Sequence, residues 1–155
     1  MFTLIHVLIS ILGIASGFVV IGGMLGGNVR PPATCVFLSA TIATSVTGFF
    51  FPFTGITPAF IFGVLSLIVL AIALYALLGG RLAGGWRKAY IITALTAQFL
   101  NTFVLIAQLF QKVPALKDLA PTQSEPPFGI IQVLLLLIFI WIGVQAVKRT
   151  APGAP

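Results

Sequence analysis

Three amides fall on one face of a long apolar stretch in this chain: at about 100° per residue, Gln98, Asn101 and Gln108 lie within an arc of about 80°. An amide in hydrocarbon must find a partner, so this stripe should face protein rather than lipid. The first apolar stretch carries a similarly narrow arc of His6, Ser10, Gly13 and Gly17. If these two helices pack antiparallel, His6 comes level with Gln108, and Gly17 with Gln98. His6, Ser10, Gln98, Asn101 and Gln108 would then form one polar seam.

Two chemistries compete for such a seam. Small residues let helices approach, and His, Ser, Asn and Gln bond between membrane helices, so the seam could simply pack the bundle. Alternatively it lines a small polar cavity that opens outward and binds a solute. His6 is the only histidine. It could bond a helix-four amide, or serve as one ligand of a haem or pigment, but a single imidazole cannot build a zinc site or a bis-histidine haem. Thr41, Thr44, Ser45 and Gly48 share a face of the second stretch, where hydroxyls can bond back one turn or reach a neighbour.

Other chemistries are excluded. No acid lies inside an apolar stretch, so there is no carboxylate proton relay. Neither a Ser-His-Asp set, a Gly-rich phosphate loop nor a metal-binding cluster is present. The lone Cys35 rules out an internal disulfide and reads as a small buried side chain. No catalytic residue or metal site is assigned, and no cofactor is required by the sequence.

The elements that must position these residues are membrane spans. The 155 residues are 59% hydrophobic and only 6% charged, with a mean hydropathy of +1.20, whereas soluble domains carry about a quarter charged residues. Five segments reach spanning length without Asp, Glu, Lys or Arg: 2–25, 35–53, 58–78, 89–110 and 130–147. Hydrocarbon offers the backbone no partner, and strand alternation is absent, so the fold class is all-α: a single bundle of five transmembrane helices. The first segment lacks a positive n-region and exceeds an h-region in length, so it should remain in the mature protein. Its glycine pairs 13/17, 22/26 and 23/27 mark a close neighbour.

Gly26-Gly27-Asn28 with Pro31-Pro32 ends the first helix, and Thr54-Gly55-Ile56-Thr57 forms a tight turn with Thr57 as cap and Pro58 at the first helical position. The connection 111–129 holds four prolines and both acids, Asp118 and Glu125. Val113, Leu116 and Leu119 in it predict a short interfacial helix. This connection is expected either to form an outer cap over the seam or to be a solvated connector whose prolines stop one helix and start the next, with Glu125 at the N-terminal end of the last helix, which Pro126 could begin. On α-helix four, Leu95 and Phe103 fall opposite the stripe and are expected to tolerate change.

The formal charge of +6 does not imply nucleic acid, because the basic residues sit at helix ends rather than in a run with aromatics. Arg30, Arg81, Arg87, Lys88, Lys148 and Arg149 fall on one side of a five-span chain, and Lys112 and Lys117 on the other. Positive loops stay inside, which predicts the N-terminus out and the C-terminus in, with anionic headgroups near the basic side. Tyr75, Trp86 and Tyr90 cluster at that same interface.

The segments Ala43–Phe53 and Lys112–Phe128 resemble those of a group of small, uncharacterised bacterial multi-span inner-membrane proteins. The resemblance implies a bacterial inner-membrane location and carries no activity. The expected function is a nonenzymatic accessory or self-associating subunit of a membrane assembly, with a membrane-protein partner or a second copy. The alternatives are a small-solute binder or permease using the polar seam, and a carrier of a single-histidine haem or pigment.

Overall fold

A computed structural model describes residues 1–52, 55 and 58–150. Among these, all regular structure is helical: α1 (Phe2–Leu25), α2 (Pro31–Gly48), α3 (Pro58–Leu78), α4 (Gly85–Lys112), α5 (Pro114–Leu119) and α6 (Pro126–Arg149). The all-α class follows from the composition. α1, α3, α4 and α6 are long and apolar enough to cross a membrane. The chain is therefore a helical membrane protein. α2 is shorter, at 18 residues, and its Thr34, Ser39, Thr41, Thr44, Ser45 and Thr47 make it more polar than those four.

Several boundaries differ from the hydropathy reading. α2 begins at Pro31 and ends at Gly48 rather than running over 35–53, and α6 begins at Pro126 rather than 130. Proline suits the first helical turn, where its missing N–H costs nothing, so Pro31-Pro32 start α2 instead of preceding it, and Pro126-Pro127 start α6 behind Glu125, as the proline chemistry of the connection allows. The run Phe49–Phe51 is apolar but lies beyond α2, in a turn where the Phe50 amide donates to the Thr47 carbonyl. Hydropathy reports what lipid accepts, not where a hydrogen-bond ladder stops. The expected cap at Thr57 lies outside the described residues.

α1 and α2 form an antiparallel hairpin. Gly13 packs on Ala40 and Thr41, while Gly23 meets Asn28 and Arg30 at the turn. The turn is a Schellman cap: Gly27 has φ +77, its amide donates to the Met24 carbonyl, and the Asn28 amide donates to Gly23. Gly22, by contrast, faces open space, so its small-residue spacing marks no contact among the described residues.

α4 is the central column. It buries nine residues, Tyr90, Ile91, Ala94, Leu95, Ala97, Gln98, Leu100, Thr102 and Phe110, against its neighbours. Phe62 of α3 meets Phe103 with ring centroids 4.8 Å apart, and Phe139 of α6 meets Phe99 at 5.7 Å. Leu95 and Phe103, expected on a tolerant face, are thus packed against protein. A helix surrounded by others has no single buried stripe, so its polar arc does not imply a lipid-facing opposite arc.

One end of the bundle is tied by polar bonds. Arg149 Nη1 donates to the Leu25 carbonyl at 2.8 Å, and Arg87 Nη1 to the Thr150 carbonyl at 3.2 Å. Cations here satisfy the last carbonyls of α1 and α6 and complement their dipoles. Tyr90 donates to Thr34 Oγ1 at 3.2 Å, and Tyr75 stacks edge-on against Trp86 at 4.9 Å. The ends of α1, α3 and α6 and the starts of α2 and α4 therefore lie together.

Candidate functional site

At the opposite end, α1, α2, α3 and α4 diverge around a cavity of about 700 Å³. α1 contributes His6, Ser10 and apolar residues; α2 and its exit contribute Thr44, Ser45, Phe49 and Phe51; α3 contributes Phe60, Phe62 and Ser66. α4 supplies Asn101 and Gln108 from its stripe, with Lys112 at its end as the one cation in the wall. This size lies within the range of about 300–1,000 Å³ typical of small-molecule sites.

Four of the five seam residues, His6, Ser10, Asn101 and Gln108, share this wall. Gln98 does not line it. It sits deeper, 1% exposed, with Nε2 donating to the Ile14 carbonyl at 2.9 Å. A Cβ on Gly17 would lie 2.0 Å from Gln98 Oε1, so any larger residue there must push the Gln98 amide aside. α1 and α4 do run antiparallel, and Val20, Ile21 and Met24 share a buried core with Tyr90, Ile91 and Ala94 beyond this level. Towards the cavity, α1 turns its polar groups to α2 instead.

His6 makes its bond to α2: Nδ1 lies 2.8 Å from Thr47 Oγ1. Its ring also stands edge-on to Phe51, with centroids 5.0 Å apart. Ser10 donates to the His6 carbonyl at 2.7 Å. Asn101 reaches α2 rather than α1, its Nδ2 lying 3.4 Å from Thr41 Oγ1. Thr47 was not singled out by sequence, because a threonine that bonds back to its own helix looks satisfied.

Polar atoms in the wall are left without protein partners. Thr44 Oγ1 is buried and unpartnered. Ser45, Ser66 and Gln108 make no side-chain hydrogen bond among the described residues. Most polar groups in a packed interior are paired, so a cluster of unpaired ones around a cavity marks a surface that meets water or a ligand.

Gln132 of α6 is a further buried amide outside the cavity, 7% exposed, donating to the Phe103 carbonyl at 3.2 Å. Its only fellow glutamine in α6, Gln145, lies 13 residues on and about 140° away around the helix, so no stripe reveals it. Cys35, expected to be buried, is exposed on α2, whose inner face is taken by Thr34, Phe37, Leu38 and Thr41.

The connection expected as an outer cap folds elsewhere. No described cavity-lining residue comes from 113–129. Gln123, held at φ +61, donates to the Ala107 carbonyl at 2.7 Å and accepts from Gln111, pinning the connection against α4. Phe128 meets Phe110 with centroids 5.4 Å apart, closing the same side. The connection is thus held against α4 at Ala107 and Phe110. Asp118 is exposed on α5. Glu125 is the N-cap residue of α6, but its carboxylate turns back to accept from the Thr122 hydroxyl at 2.9 Å and from the Thr122 and Ser124 amides. Slight desolvation pushes this carboxyl up, and its own amide together with those of Thr122 and Ser124 and the Thr122 hydroxyl outweighs it, holding the group below its ordinary value.

Among the described residues no three His, Cys, Asp or Glu side chains group as a metal site. Comparison with family models, curated proteins and solved structures finds no match, so function must be read from this geometry.

Proposed function

We propose that the chain is a nonenzymatic membrane protein that binds a small, largely apolar molecule carrying hydrogen-bonding groups in the cavity between α1, α2, α3 and α4. The observation that carries this reading is the set of wall groups, Ser45, Ser66 and Gln108, without protein partners among the described residues. It favours a binder over an assembly subunit, because side chains kept only to glue helices would be bonded across the contact. The aromatic wall of Phe49, Phe51, Phe60 and Phe62 suits an apolar body, and the hydroxyls and amides suit its polar substituents.

The proposed setting is a bacterial inner membrane crossed five times, with α2 as the fifth crossing, the N-terminus out and the C-terminus in. Support comes from the six basic residues at the tied end, against Lys112 and Lys117 at the other, and from the resemblance to small inner-membrane proteins. The cavity then opens towards the outer side. Arg30, Arg81, Lys88 and Lys148, all exposed, face anionic headgroups on the inner side.

The test is extraction of the protein directly into lipid nanodiscs, followed by identification of retained small molecules and a visible spectrum. Wild type should retain one species in excess over bulk lipid, and Ser66→Phe, which fills the cavity, should lose it. Ser45→Ala, which removes only a hydroxyl, should retain it more weakly. Equal retention by all three, or no enriched species in wild type, would overturn the reading.

A further inference from the structure

The hydroxyl of Thr47 determines which ring nitrogen of His6 carries the proton. Thr47 Oγ1 lies 2.6 Å from the Ala43 carbonyl oxygen, a separation that requires the hydroxyl proton between the two oxygens. A threonine has one such proton, so towards His6 the same oxygen can only accept. The donor across the 2.8 Å contact is then the Nδ1–H of His6. Neutral imidazole carries a single ring proton, which leaves Nε2 as a lone-pair acceptor.

Nδ1 is turned to α2, and Phe51 stands against the ring, so rotation is restrained on two sides. Nε2 has no hydrogen-bond partner among the described residues, and His6 forms part of the cavity wall. Ser10 beside it has already given its proton to the His6 carbonyl. These two side chains therefore show the cavity lone pairs rather than N–H or O–H groups, and the N–H donors of the wall belong to α4, at Asn101, Gln108 and Lys112.

We propose that the cavity selects a ligand whose polar end donates a hydrogen bond to His6 Nε2, an uncharged alcohol or phenol on an apolar body, over the corresponding ether or ester. The inference rests on the cavity being a ligand site and adds the polarity of the bond. A group that offers only lone pairs would face those of Nε2 and Ser10 and lose a partner it had in water.

Because His6 is the only histidine, ¹⁵N-histidine labelling gives one pair of ring signals that reads the tautomer directly in the ligand-free protein in nanodiscs. The expected result is protonation at Nδ1 in wild type, shifting to a mixture in Thr47→Val. Binding is then compared for 4-nonylphenol and its methyl ether, which differ in one donor. Wild type should bind the phenol about three- to tenfold more tightly, the range one neutral hydrogen bond supplies. His6→Leu should bind both equally while still binding, which separates selection from general damage to the cavity. A wild-type ring protonated at Nε2, or a visible band from a metal group ligated there, would overturn the inference. So would equal affinities for phenol and ether, a result that leaves the cavity reading standing. Failure of both probes to bind would overturn the cavity reading itself, and the ligand selection with it.

Discussion

Replacing Gly17 with alanine tests the α1–α4 crossing at its tightest point. The added Cβ would stand 2.0 Å from Gln98 Oε1 and 2.4 Å from Cδ, so the amide must swing away. It cannot do so freely, because Gln98 is 1% exposed and its Nε2 bonds the Ile14 carbonyl. Losing an interhelical bond of this kind costs about 0.6–2 kcal/mol, and leaving the amide buried without partners adds about 1–3 kcal/mol. Alanine gains back about 1 kcal/mol in helix propensity. The balance is a destabilisation of about 0.6–4 kcal/mol on the same terms. Gly22→Ala, where nothing lies within 4 Å, should be neutral or slightly stabilising. Unfolding measured in nanodiscs or bicelles for both variants, together with Gln98→Ala and the double variant Gly17→Ala/Gln98→Ala, gives a thermodynamic cycle. With Gln98 shortened, the clash disappears and Gly17→Ala should cost little. The reasoning fails if Gly17→Ala costs no more than Gly22→Ala, or costs the same in both backgrounds.

Three further outcomes are expected. Reporter fusions after Asn28, Gly84 and Thr150 should read cytoplasmic and one after Ala120 periplasmic, and a cytoplasmic reading at Ala120 would refute five crossings. Glu125 has a lowered folded value, so the order it gives the Thr122–Glu125 turn should be complete above the ordinary carboxylate range near pH ~4.3 and fade as pH falls through the lowered value; amide-exchange protection at Thr122 and Ser124 that is unchanged at low pH, or in Glu125→Gln, would contradict this. Gln132→Leu removes one bond to Phe103 but also an orphaned Oε1, so thermal unfolding should place it within about 1 kcal/mol of wild type; a much larger loss would mean that the amide has a role beyond packing.

The helices were legible because lipid imposes one rule, length without charge, and that rule leaves its mark along the whole chain. The α4 stripe was legible for the same reason: amides are rare enough in such segments for their arc to stand out. Gly17 opposite Gln98 followed from matching depths on two antiparallel helices. What stayed hidden depended on lateral arrangement. Nothing in the spacing of His6 says that Thr47, 41 residues away, is its partner rather than Gln108. Leu95 and Phe103 were misread because periodicity separates two faces, whereas α4 meets neighbours on several. Gln123 escaped notice because a polar residue in a proline-rich connection is unremarkable until its bond to Ala107 is seen.

The bond from Arg149 to the Leu25 carbonyl joins residues 124 apart in sequence. During synthesis α1 leaves the insertion machinery four long helices ahead of its eventual closing partner, so its final carbonyl must be solvated by interfacial water or headgroups throughout that interval. The bundle therefore cannot be sealed progressively as it emerges. The α1–α2 hairpin can settle early from local contacts, but the ring of helix ends closes only once α6 is in place.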